Sequence, residues 1–427
     1  MKLPTLSQPA IDDEEPSVPV VVGAVIAGVF FGGVGGGVAF PTLPTLGTLL
    51  GIAPFVVGLI LSVNRFTRLL LNTPAGDVLD RFGTRRPMLV GFVVQGMVPF
   101  GYVLALDPGP IPLSSASLFF ISRACWGVGS AFVFVGAFTT VTHVTTSENR
   151  GKWVGYMRGG QSLGFPTGLI VGGLLTDTHG YATAFLVAGV AGLFAAVVAF
   201  LVLPNIDSDV SATTRLRDLP RVVRADVRVL GIGFANFSIR FLYAGVLLST
   251  VVLYTQEHNI AIGALAETGV SGIVMAVSVL SMSITNLGVG RLSDSLPSRT
   301  YTVIPALGLF GLGFAVLGLL PTVMGTVVGV AIIGIGVGGT GPPLMAYLGD
   351  IAPGGDVGKL GGVYNVFGDL GSTLGPLVAL PLASAVGVSG EYLLCVGFVA
   401  LTMLVVVLTL DGDPTTLKQP EVLTEAD

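Results

Sequence analysis

Five arginines interrupt long hydrophobic runs: Arg65, Arg68, Arg123, Arg158 and Arg240. A guanidinium stays charged and carries five N–H donors, so its chemistry is the binding of carboxylates, phosphates and other anions. At the centre of a bilayer each one costs roughly 2.5–3.5 kcal/mol on insertion scales, and so needs a partner or a wet cavity. Only one carboxylate, Asp369, stands clearly inside such a run. The surplus of positive charge predicts a hydrated, anion-receptive cavity.

Helical spacing sorts these groups onto faces. Arg65 and Arg68 are three apart and share one. Arg158 and Ser162 lie opposite a stripe of Gly160, Gly164, Gly168 and Gly172. Asn236, Arg240 and Tyr243 form a second polar stripe, and Asn365 and Asp369 lie opposite Gly371 and Gly375. The expected substrate contacts are therefore Arg65, Arg68, Arg158, Arg240, Asn236, Tyr243 and Asn365. Counted from Gly76, Arg68 lies ~12 Å and Arg65 ~16 Å into the membrane, and Asp369 is ~15 Å beyond Lys359, at about 1.5 Å per residue. Asp369 is expected to pair with Arg65 or Arg68, breakable by protonation or by a competing anion. Arg123 is a second candidate for proton coupling or for pairing between the two halves of the chain.

Other chemistries lack their residues. No Ser/His/Asp set or His/Cys/carboxylate cluster has local support. Cys125 and Cys395 both sit in apolar runs and suggest neither a disulfide framework nor a metal site. Gly334-x-Gly336-x-x-Gly339 spells a dinucleotide fingerprint, but it lies inside a membrane span with no strand before it, so helix packing accounts for it. Gly358-Lys359 lacks the rest of a phosphate-binding loop. An enzyme, a cofactor, a metal and a nucleic-acid partner are all disfavoured.

The elements that position these residues follow from composition. Hydrophobic residues make up 52% of the chain and charged ones 11%, against roughly 25% charged in a soluble domain; mean hydropathy is +0.86. Transmembrane strands alternate over about ten residues, whereas these runs are long and rich in Gly and Ala, so they are helices. Twelve spans are expected, near 18–40, 54–75, 87–106, 115–143, 152–175, 181–203, 228–254, 267–289, 301–320, 322–348, 359–387 and 390–410. Lys and Arg outside the spans fall in the tails and alternate loops, including Arg81, Arg85, Arg86, Arg150, Lys152, Arg291 and Arg299, and never in 107–114, 176–180 or 255–266. That bias predicts both termini in the cytoplasm. Asp12, Asp13, Glu14 and Glu15 before the first span argue against a cleaved signal peptide.

The polar stretch 204–227 divides the chain into 18–203 and 228–410, with tails at 1–17 and 411–427. The two parts repeat one another. Gly76-xxx-Asp80-Arg81-x-Gly83-x-Arg85-Arg86 returns as Gly290-Arg291-Leu-Ser-Asp294, Gly127-x-Gly129 as Gly334-x-Gly336, and Gly164 and Gly168 as Gly371 and Gly375. Such a repeat predicts an all-α polytopic membrane protein, with twelve transmembrane helices in two pseudo-symmetric six-helix bundles and a cavity between them.

The chain resembles the major facilitator superfamily of secondary transporters over essentially its whole length. The 76–86 segment is similar to that family's signature between helices two and three, with Thr84 where a basic residue is usual. Arg123-xxx-Gly127-x-Gly129 is similar to its fourth-helix motif, and Gly160-xxx-Gly164-Phe-Pro166-Thr-Gly168 to the fifth-helix motif of its antiporters, with the proline one place late. The resemblance implies alternating access by rocking of two bundles. It also implies a cytoplasmic gate at Gly76, Asp80, Arg81, Gly83, Arg85 and Arg86, mirrored at Gly290 and Asp294. The resulting expectation is a monomeric symporter or antiporter of the plasma membrane, in contact with lipid. It would move a small, anionic solute, with protons as a candidate coupling ion. A multidrug or lipophilic-solute exporter is the second reading, and a membrane sensor or polytopic enzyme the third.

Overall fold

The computed structural model describes residues 17–146, 148–204, 206, 226–263, 265–352 and 357–410. With no water in the hydrocarbon layer, backbone groups must bond within the segment, and the described chain is helical almost throughout. The helices are α1 (Val18–Leu49), α2 (Pro54–Phe82), α3 (Arg85–Leu106) and α4 (Ser115–Val144). A continuous run, Arg150–Val202, is broken at Gly180, whose φ of 82° and ψ of 168° end one helix and start the next; the part before it is α5 and the part after it α6. Then come α7 (Val227–Glu257), α8 (Glu267–Asp294), α9 (Thr300–Leu319), α10 (Val323–Ile351), α11 (Val357–Val386) and α12 (Val388–Thr409). The linker expected at 204–227 and the tails at 1–17 and 411–427 lie almost wholly outside the described residues.

Several helices outrun their apolar cores. α1 continues through Pro41 and Pro44 to Leu49. α2 runs to Phe82 and α8 to Asp294, beyond the spans expected at 54–75 and 267–289. Gly76–Asp80, like Gly290–Asp294, are closing helical turns. The turn itself is Gly83, at φ 75°, and Thr84.

Small residues decide which helices touch, because lipid supplies no hydrophobic drive for association and close backbone approach must replace it. Along α1 and α5, Gly33 abuts Gly164 and Phe165, Gly37 abuts Leu169, and Gly164 and Gly168 face the carbonyls of Phe30 and Val34. Gly96 and Gly192 join α3 to α6, and Gly127 seats α4 on Asn64 of α2. In the second half Gly245 meets Gly375 between α7 and α11, Gly334 joins α10 to α8, and Gly336 joins α10 to α9. The core of the second half is continuous from Val229 to Leu410; Phe40 and Leu169 of the first half join it, and Phe165 packs against it.

The halves meet along two seams. Between α2 and α11, a Cβ on Gly58 would stand 2.5 Å from the Pro376 carbonyl. Between α5 and α8, one on Gly173 would stand 2.8 Å from that of Thr268. Both contacts lie toward the face away from the basic loops. Along α8, Gly272 is held against the Leu169 backbone and Val279 is 4% exposed, but Asn286 is exposed and Leu287 reaches 82%. On α5 burial likewise gives way from Leu169 to an exposed Arg158. Close contacts between the halves gather toward one face, and burial along α5 and α8 falls off toward the face that carries Arg81 and Arg86.

Packing through glycine is testable. Gly164→Leu drives a side chain into the Phe30 backbone and should cost about 1–3 kcal/mol by overpacking, read as a lowered Tm in detergent. Gly159→Leu, with nothing within 4 Å of its added carbon, should leave Tm near that of the parent.

Candidate functional site

The parted seam carries the charged groups. Arg68 Nη2 donates to Asp369 Oδ1 at 3.1 Å, from α2 to α11 and so from one half to the other. Both side chains keep about a quarter of their surface, 29% and 23%, so the pair is partly wetted. The Arg68 guanidinium also lies 5.7 Å from the Phe134 ring centre.

Arg65 is one turn deeper, with its guanidinium 5.7 Å from the Phe40 ring centre, a favourable cation–π placement. It makes no hydrogen bond or ion pair to the described residues. The charges within its reach are Arg68, Arg240 and Arg123, offset by Asp369 alone. Arg240, exposed on α7, packs its stem against Gly368 of α11 and likewise has no acceptor among the described residues. Asn365 is exposed one turn from Asp369, toward the open face. Arg158 shares its side of α5 with Phe165 and Leu169; Phe165 meets Phe40 edge-on at 5.5 Å, and Leu169 reaches α8. Arg158 therefore faces the cleft nearer its mouth.

Three expected site residues are used elsewhere. Asn236 is 3% exposed and donates from Nδ2 to the Tyr364 carbonyl at 2.6 Å, so its amide ties α7 to α11. Tyr243 is equally buried, its hydroxyl 3.2 Å from Ser278 Oγ of α8. The cause is a π-helical turn over Phe241–Leu247, directly after Arg240. Its wider i→i+5 winding rotates Tyr243 off the face that Arg240 occupies. Arg123 is 1% exposed within the first half, beside the Tyr102 hydroxyl, and none of its three nitrogens makes a hydrogen bond of normal geometry to the described residues.

The gate residues, as far as their contacts are described, engage their own halves. Gly76 is buried, and Asp80, Arg81 and Arg86 are exposed. Arg85 donates to the Phe200 carbonyl at 2.7 Å and lies 5.8 Å from the Phe200 ring centre. Asp294 is ion-paired to Arg299, whose Nε reaches Asp350 Oδ2 at 3.1 Å. Gly290 has open space beside it.

Two groups escaped the sequence reading. Glu391, 1% exposed in the first turn of α12, leaves both carboxylate oxygens without a hydrogen-bond partner among the described residues. Phe40, Phe134 and Phe165 line the arginines, and no charge pattern marks them.

The division between Asn236 and Arg240 is testable. Asn236→Ala should lower stability by about 1–3 kcal/mol, because the Tyr364 carbonyl loses its donor. Solute affinity, measured by ligand-induced thermal shift, should be unaffected.

Comparison with known proteins agrees with this geometry. The model of the Major Facilitator Superfamily matches residues 25–277 and 265–426. Multidrug resistance protein 2 of Bacillus subtilis (strain 168) is 23% identical over 367 residues, which is 82% of this chain and 86% of that one. Multidrug resistance protein 1 of the same organism is 28% identical over 179 residues; that match spans 42% of this chain and only 44% of the relative. Among solved structures, the fold matches a D-xylose–proton symporter with a TM-score of 0.74, at 15% identity over 93% of this chain and 99% of that one. It also matches a bacterial homologue of the human lysosomal transporter Spinster, in an inward-facing and occupied conformation. There the TM-score is 0.73, at 14% identity over 93% of this chain and 97% of the other. With the family model matching both halves, twelve apolar helices and a charged cleft between them, the chain is a multi-pass membrane transporter of the major facilitator superfamily, and not an enzyme.

Proposed function

We propose that the chain moves a small organic or inorganic anion through the cleft by alternating access. The observation that supports this most directly is that Arg65, set over the Phe40 ring, and Arg240, exposed on α7, each have no hydrogen-bond acceptor among the described residues. A bound anion would supply the missing acceptors, and Arg158 at the mouth would draw it in. Asn365 and the exposed face of Arg68 complete the set of donors. With Lys and Arg concentrated on the open face, the positive-inside bias makes this an inward-facing arrangement of a plasma-membrane protein with cytoplasmic termini.

Asp369 is the group proposed to couple the cycle to protons. When it is ionised, Arg68 is neutralised and α2 is tied to α11. When it is protonated, Arg68 is released to bind the solute, so proton and anion favour the same state.

The second reading is export of lipophilic solutes. It is supported by the Phe40, Phe134 and Phe165 rings beside the arginines and by the multidrug names of two relatives.

Flux into proteoliposomes separates the two. Arg240→Gln and Arg158→Gln remove exposed donors and should leave Tm unchanged. Each should raise KM for the transported anion about ten- to hundredfold, the ~1.5–3 kcal/mol value of a charge-assisted hydrogen bond. Unchanged anion flux together with efflux of lipophilic dyes would favour the exporter. In the same assay Asp369→Asn should abolish accumulation driven by a pH gradient while leaving solute exchange in place; a retained proton dependence would remove Asp369 from the coupling.

A further inference from the structure

The segment Gly76-xxx-Asp80-xx-Gly83 has a second copy at the other face of the first half, Gly173-xxx-Asp177-xx-Gly180. The copies share backbone geometry as well as letters. Gly83 has φ 75° and ψ 172°, and Gly180 has φ 82° and ψ 168°; each ends one helix and starts the next in a region that only glycine adopts freely. One copy closes α2 and the other closes α5, so they point to opposite sides of the membrane. Both helices pack along the second half, α2 on α11 and α5 on α8.

The copy at the closed face is engaged across the halves. Gly173 admits the α8 backbone, its would-be Cβ standing 2.8 Å from Thr268 O and 3.2 Å from Gly272 Cα. One turn on, the Asp177 carboxylate lies against the first turn of α8: its Oδ2 fills the space a Gly269 side chain would take and is buried there with no hydrogen-bond partner of normal geometry among the described residues, beside the Ala266–Gly269 backbone. No side chain within α8 caps that helix. An anionic group at an unsatisfied helix N-terminus is stabilised by both the free N–H donors and the helix dipole. Around it, the Tyr181 hydroxyl lies between Thr45 of α1 and Thr268 of α8, and Gln256 Nε2 of α7 is 3.4 Å from Thr45 Oγ1.

We propose that Asp177 is a helix cap supplied by one half of the transporter to the other, a latch that holds the face opposite the basic loops shut and must release before that face opens. The sequence Gly-xxx-Asp-xx-Gly is thus used once at each face, and the cycle exchanges one engagement for the other. This rests on the alternating-access reading, but its test uses no solute, so the two can fail separately.

The test is labelling of Thr45→Cys by a membrane-impermeant maleimide added at the closed face, in a chain carrying Cys125→Ser and Cys395→Ala. Asp177→Ala should raise the labelling rate about three- to thirtyfold, the population shift that loss of a helix cap is worth. Asp177→Asn, whose carbonyl can face the same N–H donors, should stay within about twofold of the parent. Gly269→Ala, which displaces the carboxylate from the α8 side, should match Asp177→Ala and guards against a misfolded variant. An Asp177→Ala rate within twofold of the parent, or an Asp177→Asn rate equal to that of Asp177→Ala, would overturn the latch. A labelling response in a chain that moves no solute into liposomes would keep the latch and remove the transport reading.

Discussion

A guanidinium in hydrocarbon must find an acceptor or water, and that requirement shapes the molecule. Along the glycine lines within each half, backbones come so close that no space remains at those contacts for a long charged side chain. Gly37 and Gly168 between α1 and α5, and Gly245 and Gly375 between α7 and α11, seal those contacts. Arg65, Arg68, Arg158 and Arg240 can be kept wet only on the faces the glycines do not use, which are the faces the halves turn toward each other. The seam is charged because the interiors of the halves are tightly packed.

Where the helices are regular, much of this is legible in the letters. Twelve apolar runs give twelve helices, and even the three-residue break at Leu320-Pro321-Thr322 separates α9 from α10. Depth counting brings Arg68 to Asp369, because both helices are uninterrupted between the membrane edge and the pair. The face argument fails at Tyr243, where a π turn that no residue type announces changes the winding. It fails at Asn236 for a different reason: the amide had a backbone acceptor at Tyr364, and an acceptor on another helix cannot be read from spacing on one. The copy of the α2 motif at Gly173–Gly180 is hidden in another way. A repeat between the two halves compares segments on the same face, whereas this one lies within a half and inverts the membrane.

Arg123 and Glu391 fall outside the seam. Each is almost fully enclosed with its polar atoms unpartnered, one among the helices of the first half and the other at the start of α12. Isolated charges of this kind are expensive, and neither shares its enclosure with an opposite charge among the described residues.

Alternating access requires two states within a few kcal/mol of each other, since a solute can shift an equilibrium only by its differential affinity for the two. The contacts between halves fit that limit. Arg68–Asp369 keeps about a quarter of each side chain exposed, so water still reaches it. The α5–α8 contact is a glycine approach with one carboxylate, Asp177, set beside Gly269. Against these stand the deep cores that lock each half internally, with Arg85 bound back to Phe200 in the first half and Arg299 to Asp294 and Asp350 in the second. Strong bonds stay inside the moving bodies and weak ones lie between them. That distribution lets two rigid halves rock about a wet, charged centre, with the midpoint of the motion set by the few polar groups at the rim.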